Sequence, residues 1–179
     1  MAGDEFNIVE GPALQQLQTL GWEYMDGTQL SPEASDERES LKDVVLQKRF
    51  TESVQRLNPW ISEENLRKVV QKVTLDQYAN LVEANQSIWN TINQCVSVQQ
   101  DLGKGNKGQT VHIIDFEDVE NNDFLCVNQF KVSGPVQNII PDIILFVNGL
   151  PLVVIECKSP FVTDPIQSGI NQLMRYANR

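Results

Sequence analysis

Positive charge is what this chain is short of. Fourteen lysines and arginines stand against 24 aspartates and glutamates, a formal net charge of −10. A surface of that sign repels phosphate backbones, so a general nucleic-acid binder is disfavoured, and a DNA-active chain would need a basic neighbour to deliver its substrate. Histidine is nearly absent. His112 stands alone, which argues against a histidine-based zinc site or a Ser/His triad and leaves that ring a core or strand-edge place. Cys95, Cys126 and Cys157 are odd in number and widely spaced, so they are read as reduced, mostly buried thiols of a cytoplasmic protein. Long apolar runs are missing too. No run approaches membrane-span length, and residues 1–10 lack the basic and apolar segments of a signal peptide.

What is present suits a single domain: 179 residues, 41% of them hydrophobic, enough for a real core. Leu14, Leu17 and Leu20 share one face of a helix expected over residues 9–20, which Gly21 stops and whose dipole Glu10 favours. Residues 22–30 read as a short strand and turn, and 31–40 as a polar loop. Helical spacing returns over 41–57 (Leu41, Val44, Val45, Phe50, Val54, Leu57), ended by Asn58-Pro59. It resumes after the Ser62-Glu63-Glu64-Asn65 start with Leu66, Val69, Val70 and Val73, and again over 85–95 with Ile88, Trp89 and Ile92. Each stripe is taken as a core face, which makes 41–95 a helical subregion.

Residues 101–110 are glycine-rich. Gly103, Gly108 and Thr110 match the spacing of a phosphate-binding loop, but Gln109 stands where the lysine is required and a strand follows rather than a helix. A flexible β-turn remains, with Lys104 and Lys107 placed to meet DNA phosphates. Strands are expected over 111–116 and 124–132. A helix should open at Asp164-Pro165, with Ile166, Ile170, Leu173 and Ala177 as its buried stripe.

The chain is organised around residues 140–160. Two apolar runs, 143–147 and 150–155, flank Asn148-Gly149, the strongest local hairpin signal, since both residues tolerate positive φ. Neither run alternates with polar residues, so both faces should be covered. Asp142 opens the first strand; Glu156 and Lys158 close the second and share a face, while Cys157 points to the opposite layer. A plain two-residue turn pairs Asp142 with Ile155 and puts Asp142 and Glu156 on opposite faces. One extra residue, as a three-residue loop or a bulge, pairs Asp142 with Glu156 and gathers all three polar groups. Two carboxylates about 4 Å apart repel by roughly 4 kcal/mol at an effective dielectric near 20. A lysine offsets part of that, and a divalent ion, Mg²⁺ or Mn²⁺ for such hard oxygens, offsets it fully. The bland alternative is a solvated Glu/Lys pair at a strand end.

Pro141-Asp142 followed by Glu156-Cys157-Lys158 resembles the motif of the PD-(D/E)xK nuclease superfamily. The wider sequence is more specific. Residues 37–40 (Glu-Arg-Glu-Ser), 123–130 (Asp-Phe-Leu-Cys-Val-Asn-Gln-Phe) and 141–160 resemble the N-terminal part of the motor (R) subunit of type I restriction enzymes, over nearly the whole chain. The resemblance implies an α/β fold: a mixed β-sheet of the restriction-endonuclease type flanked by helices, with an N-terminal helical part and residues 111–179 as the catalytic sheet and helix. It implies a metal-dependent endonuclease acting on double-stranded DNA, with Asp142, Glu156 and Lys158 as the catalytic set. Asp142, Glu156, the Cys157 carbonyl and an acid of the first helix, Glu10, would be metal ligands. Gln172 and Tyr176 match an accompanying Gln-x-x-x-Tyr motif that positions the lysine or the DNA.

In that family the domain works beside an ATP-driven motor, ATP binding elsewhere in the subunit, and with methylation and specificity subunits. The expectation is therefore one endonuclease domain over 1–179, a fragment ending just after the Gln172/Tyr176 helix. Two alternatives stay open: a docking or DNA-guiding module of the same fold with a dead site, and a stand-alone structure-specific nuclease, which the acidic balance disfavours.

Overall fold

A computed structural model describes residues 5–75, 81–134 and 137–177. A π-helical turn, Phe6–Glu10, runs into α1, Gly11–Thr19, which ends where Gly21 takes φ +95°. β1 (Glu23–Asp26) follows, then a 3-10 turn (Gly27–Leu30). Helices α2 (Gln47–Leu57), α3 (Glu63–Leu75) and α4 (Leu81–Gln94) precede the β2–β3 hairpin, Val96–Asp101 and Asn106–Val111. After β4 (Phe124–Asn128) come the short β5 (Val132–Ser133) and β6 (Asn138–Ile139), then β7 (Ile143–Val147), β8 (Leu150–Ile155) and α5 (Pro165–Ala177). The fold is α/β, as expected, built on a mixed four-stranded sheet in the order β1-β4-β7-β8. β1 runs parallel to β4; the other two pairs are antiparallel.

Alternation along β7 divides the core. Ile143 and Leu145 face α1 with Leu14, Cys126 and Cys157, while Ile144 and Phe146 face Leu30, Leu46, Val127 and Phe130. A third cluster joins Phe50 and Val54 of α2, Leu66, Val69 and Val73 of α3, and the inner face of the β2–β3 hairpin. The Asn148-Gly149 turn is clamped into this core. Both residues have positive φ, and a Cβ on Gly149 would lie 2.7 Å from the Leu46 carbonyl oxygen.

Several expectations need correction. The helix expected over 41–57 begins only at Gln47, because the Leu46 N–H is drawn to the Gly149 carbonyl (3.0 Å) and Asp43 turns back on Ser40. The strand expected over 111–116 ends at Val111. Asn58 brackets the next residue, accepting from His112 N and donating to His112 O, which takes both groups a ladder would use. His112 itself is exposed just past β3. The 111–116 stretch gives no strand to the four-stranded sheet, whose edge beside β4 is β1, and β2 was missed because Val-Ser-Val-Gln-Gln-Asp hardly looks buried. The expected turn over 101–110 is mostly ladder, with only its tip irregular. The strand expected over 124–132 stops at Asn128, since Gln129 takes φ +55°.

Burial differs as well. β7 is covered on both faces, but β8 is an edge strand and exposes Leu152, Val153 and Val154. Leu20, Trp89 and the α5 stripe Ile166, Ile170 and Leu173 are exposed, where a core place was expected. The side chain of Ala177, the fourth member of that stripe, lies outside the described residues. Cys126 and Cys157 are buried and all three thiols are free. Among the described residues no helix is long and apolar enough to cross a membrane.

Candidate active site

The hairpin register decides the geometry. Val147 pairs with Leu150 and Phe146 with Pro151, but Leu145 pairs with Val153, so Leu152 is an extra residue in β8. Beyond this bulge Ile143 faces Ile155, and the next step sets Asp142 against Glu156, as expected. Proline at the bulge costs little because an edge strand need not donate there.

Asp142 sits just before β7. Its Oδ2 accepts the Cys157 N–H at 2.7 Å, and its backbone carbonyl accepts from Gln129 N at 3.2 Å. Cys157 points into the α1 layer, where burial pushes its thiol up to about 11, with the charge of Asp142 adding to it. Glu156 and Lys158 lie on the other side. The Lys158 ammonium donates to the Cys157 carbonyl at 2.7 Å and stands 3.5 Å from Glu156 and 3.7 Å from Asp142. The Glu156 side chain is 2% exposed, and its Oε1 is buried with no hydrogen-bond donor. Burial raises its carboxyl above the usual range and Asp142 adds to the rise, while Tyr176 and Lys158 act against it.

Gln172 and Tyr176 come to the same place from α5. The Gln172 amide donates to the Tyr176 hydroxyl at 2.7 Å, and that hydroxyl turns toward the Ile140 carbonyl at 3.4 Å. Burial pushes the phenol up to about 12, with Glu156 a further cause. A groove beside Glu156 and Lys158 is walled by Pro160, Pro165, Ile166, Gly169, Ile170 and Leu173, so the exposed α5 stripe borders the site.

Glu10 feels the charge of Asp142 but is bonded to an amide outside the cluster. It is buried at the junction with α1 and accepts from Asn128 Nδ2 at 3.1 Å, while Asn128 Oδ1 accepts from the Tyr24 hydroxyl at 2.9 Å. Burial raises the Glu10 carboxyl, the Asn128 hydrogen bond lowers it, and Asp142 raises it again.

Two residues carried no sequence expectation. Asn128 ends an otherwise apolar strand, a placement that mirrors Asp142 and could have been noticed. Glu5, whose Oε1 is 3.8 Å from Lys158 and whose Oε2 accepts from Ser159 N at 3.2 Å, had no such signal.

The donor set suits a hard dication. Carboxylate oxygens and a backbone carbonyl converge, and one buried carboxylate oxygen has no donor of its own. Among the described residues no group of three or more histidine, cysteine, aspartate or glutamate side chains is already placed to hold a metal ion. The cation these oxygens surround is the Lys158 ammonium.

Comparison with known proteins shows the family of the chain. Residues 4–179 match the family described as type I restriction enzyme R protein N terminus. The chain is 34% identical, over 94% of its length, to a putative type I restriction enzyme MjaIXP endonuclease subunit of Methanocaldococcus jannaschii, of which it covers 16%. It is 40% identical, over 86% of its length, to the type I restriction enzyme HindI endonuclease subunit of Haemophilus influenzae, of which it covers 15%. The chain thus spans about one sixth of the curated relatives it matches.

Proposed function

The chain belongs to the family of type I restriction enzyme R protein N termini, and from that premise we propose that it is the nuclease domain of such a subunit, hydrolysing phosphodiester bonds of double-stranded DNA with Mg²⁺ or Mn²⁺. The observation that carries this is the bulge at Leu152, which brings Asp142, Glu156 and Lys158 to one spot.

Asp142, Glu156 and the Cys157 carbonyl would hold the ion, with Glu10 in reserve behind Asn128. A divalent ion held there would supply Lewis acidity to an attacking water and to the charge on the scissile phosphate. Lys158 orients that water or meets the phosphate. The Asp142 carboxylate is aimed by the Cys157 N–H, so one residue both fixes the first carboxylate and offers a carbonyl. Gln172 holds the Tyr176 hydroxyl beside Glu156 and limits where DNA and lysine can move. Cutting by the whole subunit would follow DNA translocation by its ATP-driven motor, in the cytoplasm and in complex with methylation and specificity subunits.

Nicking of supercoiled plasmid with Mg²⁺ or Mn²⁺ tests the proposal, comparing the native chain with Asp142→Ala and Lys158→Ala. The same substitutions in the full-length subunit, assembled with its partners, cover a chain too weak alone. Each should lower cutting by about 10²-fold or more, the scale of losing a positioned catalytic group. Equal cutting by all three would leave the docking module as the better account, a role the net charge of −10 favours.

A further inference from the structure

Lys158 is held where a group that acts on water or phosphate gains little. Its ammonium donates to the carbonyl of the preceding residue and is ringed by the carboxylates of Glu156, Asp142 and Glu5 at 3.5, 3.7 and 3.8 Å. Two of those carboxylates and that carbonyl are the donors assigned above to the divalent ion. Ammonium and ion therefore compete for the same oxygens, and like charges that close repel. The three carboxylates against one ammonium leave two negative charges uncompensated, and Glu156 Oε1 is buried without a donor. One ammonium satisfies the cluster only in part.

Glu5 differs from its neighbours. It precedes the π-helical turn before α1, outside the hairpin that carries the other donors, and the Ser159 N–H fixes its Oε2 beside the backbone of Lys158. Its Oε1 is left facing the ammonium. An ammonium has three N–H donors, so it can give up one acceptor while keeping another. We infer, on the metal reading above, that Lys158 is the resting cation of this cluster and that Glu5 is a positioning residue, retaining the ammonium when a divalent ion takes the Cys157 carbonyl and the Asp142 and Glu156 oxygens. Lys158 is thereby kept at the edge of the occupied site, rather than released to solvent, and remains available to the phosphate.

The test uses Mn²⁺ alone and needs no cleavage. Mn²⁺ affinity is read from the free-ion electron paramagnetic resonance signal for the full chain and for Glu5→Gln, Lys158→Met and the double variant. Circular dichroism confirms folding, and Lys158→Gln runs alongside in case methionine distorts the cluster. Removing the competing ammonium should tighten binding by about tenfold. Glu5→Gln should weaken it by about fivefold in the native background but by less than about twofold once Lys158 is gone, a coupling that a double-mutant cycle isolates. Equal weakening in both backgrounds would mean that Glu5 acts on the ion directly and would overturn the inference, as would a lysine variant no tighter than the native chain. Mn²⁺ uptake by none of the chains would reject the metal reading itself, and this inference with it.

Discussion

Glu10 and Glu156 are carboxylates held where their charge is costly. Burial raises both, more than Asn128 lowers the one or Tyr176 and Lys158 the other. A carboxylate whose folded pKa lies above its unfolded value gives its full contribution to stability below the unfolded pKa. That contribution is lost as pH rises through the folded pKa, because the unfolded chain ionises first. At neutral pH the native chain therefore carries a penalty that an amide would lack. Glu10→Gln, which can still accept from Asn128, should raise Tm by about 2–4 °C at pH 7, the shift that about 1 kcal/mol gives in a chain of this size. The gain should shrink as pH falls toward about 4, where unfolded glutamates take up protons. Melting curves across that range check it, and a gain that grew with acidity would contradict the sign. Arg38 is also charged at a cost, its guanidinium pushed down by burial and its Nη2 buried without a partner, but its other contacts tie three separate stretches together. Its guanidinium donates to the carbonyls of Leu30, Asp43 and Lys131 and lies 4.0 Å over the Phe130 ring. Lysine keeps the charge but not the planar fork, so Arg38→Lys should cost about 2–3 kcal/mol in urea unfolding, the scale of a hydrogen bond to a charged group.

At the scale of elements the site depends on one residue of slip. Deleting Leu152 removes the bulge but leaves Asp142 opposite Glu156. Inserting one alanine between Val153 and Val154 instead moves the rest of β8 by one place and pairs Asp142 with Ile155, which turns Glu156 and Lys158 away from Asp142. The insertion should abolish Mn²⁺ uptake and plasmid nicking as fully as Asp142→Ala, while circular dichroism still reports a folded chain, because β7 keeps its buried faces. Retained cutting would show that the three groups need not converge. This bulge was legible in the sequence because charges constrain register: a carboxylate at each end of the hairpin makes sense on one face only. The helix stripes carried no such constraint. Periodicity says which residues share a face and not what covers it, so Trp89 and the α5 stripe were read as core and found exposed. Tertiary bonds were equally invisible. Nothing local to residues 111–116 shows that Asn58 cuts the strand short, and nothing local to residues 22–26 shows that β1 joins β4 in parallel. Local chemistry pointed to the candidate site, and distant partners set the boundaries of the elements around it.

For the whole molecule the question is how an acidic body meets DNA. The net charge of −10 opposes approach, and many cations are already engaged: Arg49 with Glu23, Glu37 and Asp123, Lys48 with Asp36, Lys68 with Glu64, Lys158 with its cluster. Lys104 and Lys107 lie apart from those pairs and close to one another in the chain. They stand exposed at the end of the β2–β3 hairpin, around Gly103 and Gly105 with φ +89° and +79°, and among the described residues neither is in an ion pair. Each phosphate neutralised contributes about −0.9 to the slope of log K against log salt for duplex DNA. With these two lysines as the main contacts, fluorescence anisotropy on a labelled duplex should find binding no tighter than about 10⁻⁵ M at physiological salt and a slope near −2. Replacing both by alanine should bring the slope close to zero without altering Mn²⁺ affinity, because the hairpin tip is not part of the carboxylate cluster. A slope several units steeper, unchanged by the double replacement, would mean that DNA is gripped by another surface and that the hairpin is a bystander.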